Sequence, residues 1–515
     1  MKKLICLLLS IVLAFPLSLI CIAEEFGNME NSNYYKDLIY KEIEYVNSLA
    51  LPNSAIAFSL PKIISYSEYL PLPDIDGIKS SEYTSWKSTK IIPYFSAFAV
   101  LGLIQGCDTL KINDGKDTAL NYINWYILHM NTLKSDVNGV KGTVYDYYVF
   151  IGDNGKIIEL DYPTAYKNHK NELLRKSNYD STDSYAAIFL ELLYEYTRVF
   201  DNDFLNDKKE LVKTLIDVIN ATYIKNLDLT GAKPDYMVAY LMDNCEVYKG
   251  YLAADKIFTE FIDDKSYAKE CFVNTEKIKS ALLNTFWDDN NKAFSPGVFD
   301  NGKPAFGTTK EDMKVFYPNA TSQLFPVIFG LLETQSEKAT FIYNRFNEEF
   351  GKTGVTRKDW VNMDCGDAYP WALIGRAAVL MNDLDRVNDY IKTINRSYIQ
   401  KNHIEPYYCA EAGHILIILC ELYTLSSETN SENSYEIESE INSYTKTESE
   451  TVSNCETESN STEASEAIES NETINSTDKI KNKEASVLPW ILGISAVIIT
   501  SVGILIYSKL KYKKT

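Results

Sequence analysis

The chain has 515 residues, 45% of them hydrophobic, with 51 basic against 71 acidic side chains and a net charge of −20. That supply of apolar residues supports a sizeable core, and the acidic balance excludes a nucleic-acid surface. Only four histidines and no CxxC pair occur, so neither a histidine-rich metal site nor a zinc ribbon is expected.

Lys2 and Lys3 precede an apolar run from Leu4 to Ile22, with Ala23 before Glu24. That order predicts a secretory signal peptide over residues 1–23. Ile20 stands before Cys21, where a lipoprotein box needs a small residue, which argues against a lipidated cysteine. Seven cysteines follow (Cys107, Cys245, Cys271, Cys365, Cys409, Cys420 and Cys455), an odd number unsuited to a disulfide framework.

Residues 24–425 carry helical periodicity. Twelve helices are expected, near 33–48, 85–106, 116–132, 183–199, 204–222, 236–259, 266–286, 320–333, 336–349, 367–381, 383–397 and 410–424. Loops before the even-numbered helices are long and those before the odd-numbered ones short, so neighbours pair antiparallel. Pro93–Leu103, Ala186–Leu193, Leu324–Leu332 and Ile415–Leu422 are almost continuously apolar, whereas Lys208–Asn220 keeps a polar face. The alternation predicts an all-α ring of six hairpins with the even helices inside. Two small β-hairpins are expected at 142–160 and 293–306, turning at Asp153-Asn154-Gly155 and Asp300-Asn301-Gly302. Asp201, Asp203 and Asp207 miss a calcium loop, because Asn206 and Val212 stand where Gly and Glu are needed.

Residues 426–486 are rich in Ser, Glu, Asn and Thr. From 426 to 485 they hold 15 acidic residues against four lysines, a net −11 of the chain's −20, and are expected to form a disordered stalk. Val487–Tyr507 follows, an apolar stretch of about 31 Å as a helix, enough to cross a bilayer core of roughly 30 Å. Lys509, Lys511, Lys513 and Lys514 then place a short tail, 509–515, in the cytoplasm. A single-pass cell-membrane protein with an extracellular domain is expected, spanning at residues 487–508.

Polar and aromatic clusters stand where the long loops meet the inner helices. They are Asn178–Tyr185, Met242–Tyr248, Tyr317–Gln323, Asp364–Trp371, and His403–Tyr408 followed by Glu411. In a ring they converge on one concave site. Carboxyl pairs among aromatic rings suit glycan chemistry: rings stack on sugar faces, and two carboxyls serve as acid and base. Asp183, Glu246, Asp367 and Glu405 are the candidate catalytic residues. Trp86, Asp180, Tyr185, Asp243, Tyr317, Tyr369, Trp371 and Tyr407 are candidates for substrate binding. Asp183 at a helix start is expected to favour its ionised form and act as a base toward Asp367 or Glu405. Asp180, Ser181 and Asp183 serve equally well as helix caps.

Thr285-Phe286-Trp287-Asp288-Asp289, Ser181-Thr182-Asp183-Ser184 and Tyr369-Pro370-Trp371 resemble motifs of the six-hairpin glycosidase superfamily over roughly 85–423. Ser184 and Tyr185 replace the Gly/Ala-Asp pair that follows in the family-eight endoglucanase signature. The resemblance implies an (α/α)6 barrel and a glycoside hydrolase, in many members inverting, on a poly- or oligosaccharide and without a cofactor. A lyase using His403 or Tyr407 as base, or a non-catalytic glycan-binding surface protein, are the alternatives on the same fold.

Overall fold

The computed structural model describes residues 32–63, 72–169, 171–352, 358–366 and 369–427. The predicted signal peptide, stalk, membrane span and tail lie outside the described residues, as does Asp367.

Twelve helices form the barrel: α1 (32–48), α2 (Pro93–Leu110), α3 (Lys116–Leu128), α4 (Thr182–Phe200), α5 (Lys209–Asn220), α6 (Leu241–Lys256), α7 (Lys265–Thr285), α8 (Phe325–Ile328), α9 (Glu337–Phe350), α10 (Ala372–Leu380), α11 (Leu384–Ser397) and α12 (Cys409–Ser427). Local chemistry sets several starts. Pro93 occupies the first turn of α2; Ser181, Asp264 and Ser336 cap α4, α7 and α9 by accepting backbone N–H groups.

The even-numbered helices pack in sequence, α2 on α4, α4 on α6, α6 on α8 and α8 on α10. Gly375 of α10 lies against Ile418 of α12, and Gly102 of α2 against Gly413 of α12, which closes the ring. The odd helices lie outside. Their own circle is joined where Tyr35 of α1 donates to Asn388 Oδ1 of α11 at 2.6 Å. Ring stacking adds to the wall, as where Tyr126 and Phe189 lie with centroids 3.7 Å apart. The fold is all-α in its framework, a six-hairpin (α/α)6 barrel with small antiparallel sheets.

The closing seam is the tightest helix contact. A Cβ on Gly413 would lie 2.1 Å from the Phe98 carbonyl oxygen, and one on Gly102 would lie 2.2 Å from the Gly413 carbonyl oxygen. Gly413→Ala must therefore push α2 and α12 apart, an overpacking cost of about 3 kcal/mol. Denaturant unfolding of the variant is expected to show that loss, and an unchanged midpoint would mean the seam yields freely.

Two expected elements differ. Residues 87–91 form a strand rather than the start of α2, because β-branched Thr89, Ile91 and Ile92 precede Pro93, which excludes helix before it. The eighth helix is one turn long and is stopped at Gly330, which takes a left-handed φ of 73°. The 142–160 hairpin is present as β3 (Tyr147–Ile151) and β4 (Ile157–Asp161), but it belongs to a larger sheet. Its order is β1 (Lys62–Ile63), β2 (Lys87–Ile91), β3, β4, all antiparallel. The second predicted hairpin is present, Gly297–Phe299 turning through Asp300-Asn301-Gly302 to pair with residues 303–305, and its first strand also pairs with Val238–Tyr240.

A carboxylate fastens this sheet to the barrel. Glu159 of β4 accepts from Trp125 Nε1 at 3.0 Å and from Asn53, and faces His129 Nε2 at 3.0 Å. Although burial pulls it the other way, the bond to Glu159 raises the His129 pKa.

Among the described residues one helix, α12, is long and apolar enough to cross a membrane. Two-thirds of its most apolar window is buried inside the barrel, and its interior position accounts for that apolarity.

Candidate active site

Asp183 and Glu246 meet at the mouth where α4 and α6 begin. Neither has appreciable exposure, at 0% and 1%. Ser181 Oγ lies 2.5 Å from Asp183 Oδ1 and 3.3 Å from Asp243 Oδ2, so one hydroxyl bridges two carboxyl groups. It has one hydrogen to give, and the shorter contact takes it. Asp183 Oδ1 also accepts from Ser184 N at 2.9 Å. Glu246 Oε1 accepts from Tyr94 Oη at 2.5 Å.

Burial governs the charges. It pushes Asp183 up to about 6, against the lowering effect of the Ser181 bond. The helix N-terminus, expected to hold Asp183 ionised, is outweighed by desolvation. Glu246 is pushed up to about 8 by burial, with Tyr94 and Ser184 opposing. Asp243 goes well above the usual carboxylate range through burial and the neighbouring Asp183, Glu246 and Asp180. Burial thus favours the protonated form of both carboxyls; the carboxyl neighbours of Asp243 add to that effect, whereas the bonds from Ser181 and Ser184 oppose it at Asp183.

Asp243 is partly exposed and Asp180 exposed, whereas Asp183 and Glu246 are buried. The carboxyls open to the mouth are therefore the two that the sequence assigned to binding. Arg376 of α10 lies deeper in the barrel, its Nη1 3.4 Å from His414 Nδ1, and burial beside it drives His414 toward the neutral form.

Aromatic rings pack on one another where the inner helices begin. Tyr185 stacks on Tyr94 at 5.6 Å and 18°. Tyr408 stacks on Phe58 at 4.7 Å and meets Phe95 and Tyr369 edge-on. Tyr317 and Trp371 pack at 5.1 Å, and Trp371 holds a left-handed φ of 56°. Its N–H and that of Ala372 bond the carboxylate of Glu411, which caps α10.

Other candidates are engaged differently. Glu405 is exposed and pairs with Lys62 at 2.5 Å, so it lacks the apolar wall that a proton-holding acid needs. Tyr407 is fully buried and donates to Glu42 Oε2 at 2.9 Å, away from the mouth. His403 Nε2 faces the other oxygen of Glu42 at 2.9 Å and its ring stacks on Tyr45. The two residues that a lyase would use as base are thus engaged in one buried network. Trp86 packs against Gly152 in the β3–β4 turn.

No family model and no curated protein matches this sequence. Solved structures that it resembles are glycosidases. One, described as a wild-type glycosidase, matches over 76% of this chain and 98% of its own, at 10% identity and a TM-score of 0.44. A reducing-end-xylose-releasing exo-oligoxylanase complexed with xylose matches over 75% and 93%, at 9% identity and 0.39. A Rex8A mutant from Paenibacillus barcinonensis complexed with xylose matches over 77% and 96%, at 11% identity and 0.39.

Three mouth residues escaped the sequence reading. Tyr94 hides in the apolar run of α2. Lys90, on β2, is pushed down to about 8 by burial, with Asp146 and Glu405 opposing. Asp146 is pushed up to about 8 by burial, against the bond from Tyr185. Its setting, Tyr145-Asp146-Tyr147-Tyr148, is the same mixture of acid and aromatics that marked the other loops.

Proposed function

We propose that this chain is a membrane-anchored extracellular glycoside hydrolase that cleaves a poly- or oligosaccharide by inversion. The observation that carries the reading is the Asp243–Ser181–Asp183 arrangement, two carboxyls joined through one hydroxyl: Asp243, partly exposed and held toward its protonated form by burial and its carboxyl neighbours, and Asp183, buried and hydrogen-bonded by Ser181 and Ser184. Asp243 protonates the glycosidic oxygen as the bond to the anomeric carbon breaks. Asp180 takes a proton from the water that attacks that carbon from the opposite face. Asp183, joined to Asp243 through Ser181, keeps the Asp243 proton in place before transfer. Inversion needs about 6.5–9.5 Å between acid and base, room for one water. No cofactor enters this chemistry. The signal peptide at 1–23, the stalk at 426–486 and the span at 487–508 belong to the same proposal and place the barrel outside the cell.

The full chain in detergent, offered xylan, mixed-linkage β-glucan, carboxymethylcellulose and chitosan, is expected to release reducing ends from at least one. The first-formed anomer, read by proton NMR, should be inverted. Retention by the mouth of one of these glycans without any cleavage would replace the hydrolase with the glycan-binding reading, for which the aromatic walls suffice.

A further inference from the structure

The sheet beside the barrel does more than cover it. Asp146 precedes β3, and both of its main-chain groups are fixed. Its N–H donates to the Asn178 carbonyl at 3.0 Å, and its carbonyl accepts from Tyr162 N at 2.9 Å. Asp146 Oδ1 accepts from Tyr185 Oη at 2.9 Å. The same phenol oxygen lies 3.5 Å from Asp180 N, a long contact to the loop that carries the exposed carboxyl. The Tyr185 ring stacks on Tyr94, whose hydroxyl holds Glu246. One phenol therefore joins the sheet's carboxyl to Asp180 on one side and to the Tyr94–Glu246 pair on the other.

We propose that Asp146 is a positioning residue of the mouth: by anchoring Tyr185 it sets the Asp180 loop and the Tyr94–Glu246 pair in the geometry that hydrolysis needs. Asp146 lies 37 residues before Asp183, in an insertion between the barrel helices α3 and α4. It is packed among Tyr185, Asp180, Lys90 and Lys233. The placement makes the insertion a working part of the site.

The kinetic arm of the test rests on the hydrolase reading, so a second arm does not use activity. Asp146→Ala, Asp146→Asn and Tyr185→Phe are made in the full chain labelled with 13Cζ-tyrosine, the Tyr94 signal being identified by its loss in Tyr94→Phe. Asp146→Ala is expected to shift the Tyr94 and Tyr185 signals. Asp146→Asn, which keeps an acceptor for the phenol, should leave both near their wild-type positions. On whichever glycan of the panel the wild type cleaves, Asp146→Ala should lower kcat ~100-fold with KM within about threefold, and Asp146→Asn should restore most of it. Tyr185→Phe should follow Asp146→Ala. Unmoved Tyr94 and Tyr185 signals in Asp146→Ala would overturn the proposal, as would an equal loss of kcat in the Ala and Asn variants. If the signals shift as expected and the wild type cleaves no glycan, the anchoring role stands and the hydrolase reading falls.

Discussion

Asp243→Asn is expected to lower kcat about 10³-fold on the glycan that the wild type cleaves, with glycan binding and melting temperature nearly unchanged. The size follows from what general acid catalysis supplies, roughly 10²–10⁴-fold. Asn cannot release a proton to a leaving oxygen, yet it keeps the shape and hydrogen-bonding capacity of the carboxyl. An amide at this position still offers a hydrogen-bonding group to Ser181, so the exchange strands no partner. Asp183→Asn separates the two carboxyls. Removing the Asp183 charge takes away one of the influences that keep Asp243 protonated. The Asp243 pKa should fall, and the alkaline limb of the kcat profile should move to lower pH while activity survives below it. If Asp183→Asn is inactive at every pH and Asp243→Asn retains full turnover, the roles assigned to the two are wrong.

The second large effect is on stability. Asp146 and Glu246 are raised to about 8, Asp183 to about 6, and Asp243 well above its ordinary range, all chiefly by burial. In the unfolded chain such carboxyls titrate near 4. Between those values the folded protein binds more protons than the unfolded one, so stability falls as pH rises. Their contribution is complete below pH ~4 and is lost through 6 and then 8. Asp288, held near 2 by Thr308 and Asn291, acts in the opposite sense in acid below about 4, as do His414, held neutral by burial, below about 6.5 and Lys90, lowered to about 8 by burial, above that value. Maximum stability is therefore expected on the acid side of neutrality. One pKa unit corresponds to about 1.4 kcal/mol, and a buried cluster that partly relaxes should lose on the order of 3–5 kcal/mol between pH 5 and 9. Glu246→Gln removes one titrating group and keeps an acceptor for Tyr94, so its stability should depend less steeply on pH. Denaturant midpoints that rise steadily from pH 5 to 9 in the wild type would contradict the buried, protonated cluster.

The ring was legible because two independent signals coincide. Loop lengths alternate, and the even helices lack the polar face that Lys209–Asn220 displays. The strand at 87–91 was not legible as such, because its apolar residues run directly into Pro93 and read as one helix. In the candidate site, Asp183, Asp243 and Glu246 were proposed because each opens an inner helix, and the fold brings the three carboxyls near one another. Their relative exposure could not be read, since burial depends on what covers them: Ser181, Tyr94 and the first turn of α4. Asp146 was invisible for a related reason. Its partner Tyr185 is 39 residues away and its strand belongs to a sheet whose four members are spread over a hundred residues. Glu405 and Tyr407 were proposed because both follow a long loop; in the fold one is exposed beside Lys62 and the other bonds Glu42 of the N-terminal helix.

The glycine seam between α2 and α12 also bears on how the molecule is made. Residues 102 and 413 must touch before the ring exists, so closure waits until nearly the whole domain has left the ribosome. Until then five apolar inner helices stand with an open flank, a long-lived exposed surface that favours aggregation. A chain shortened before residue 409 loses the last stave, and the inner face of α2 is left without its partner. Such a protein has no half-sized folded form; trimming its C-terminus into α12 should give an insoluble product, whereas trimming that stops beyond residue 427 keeps every contact among the described residues of the barrel.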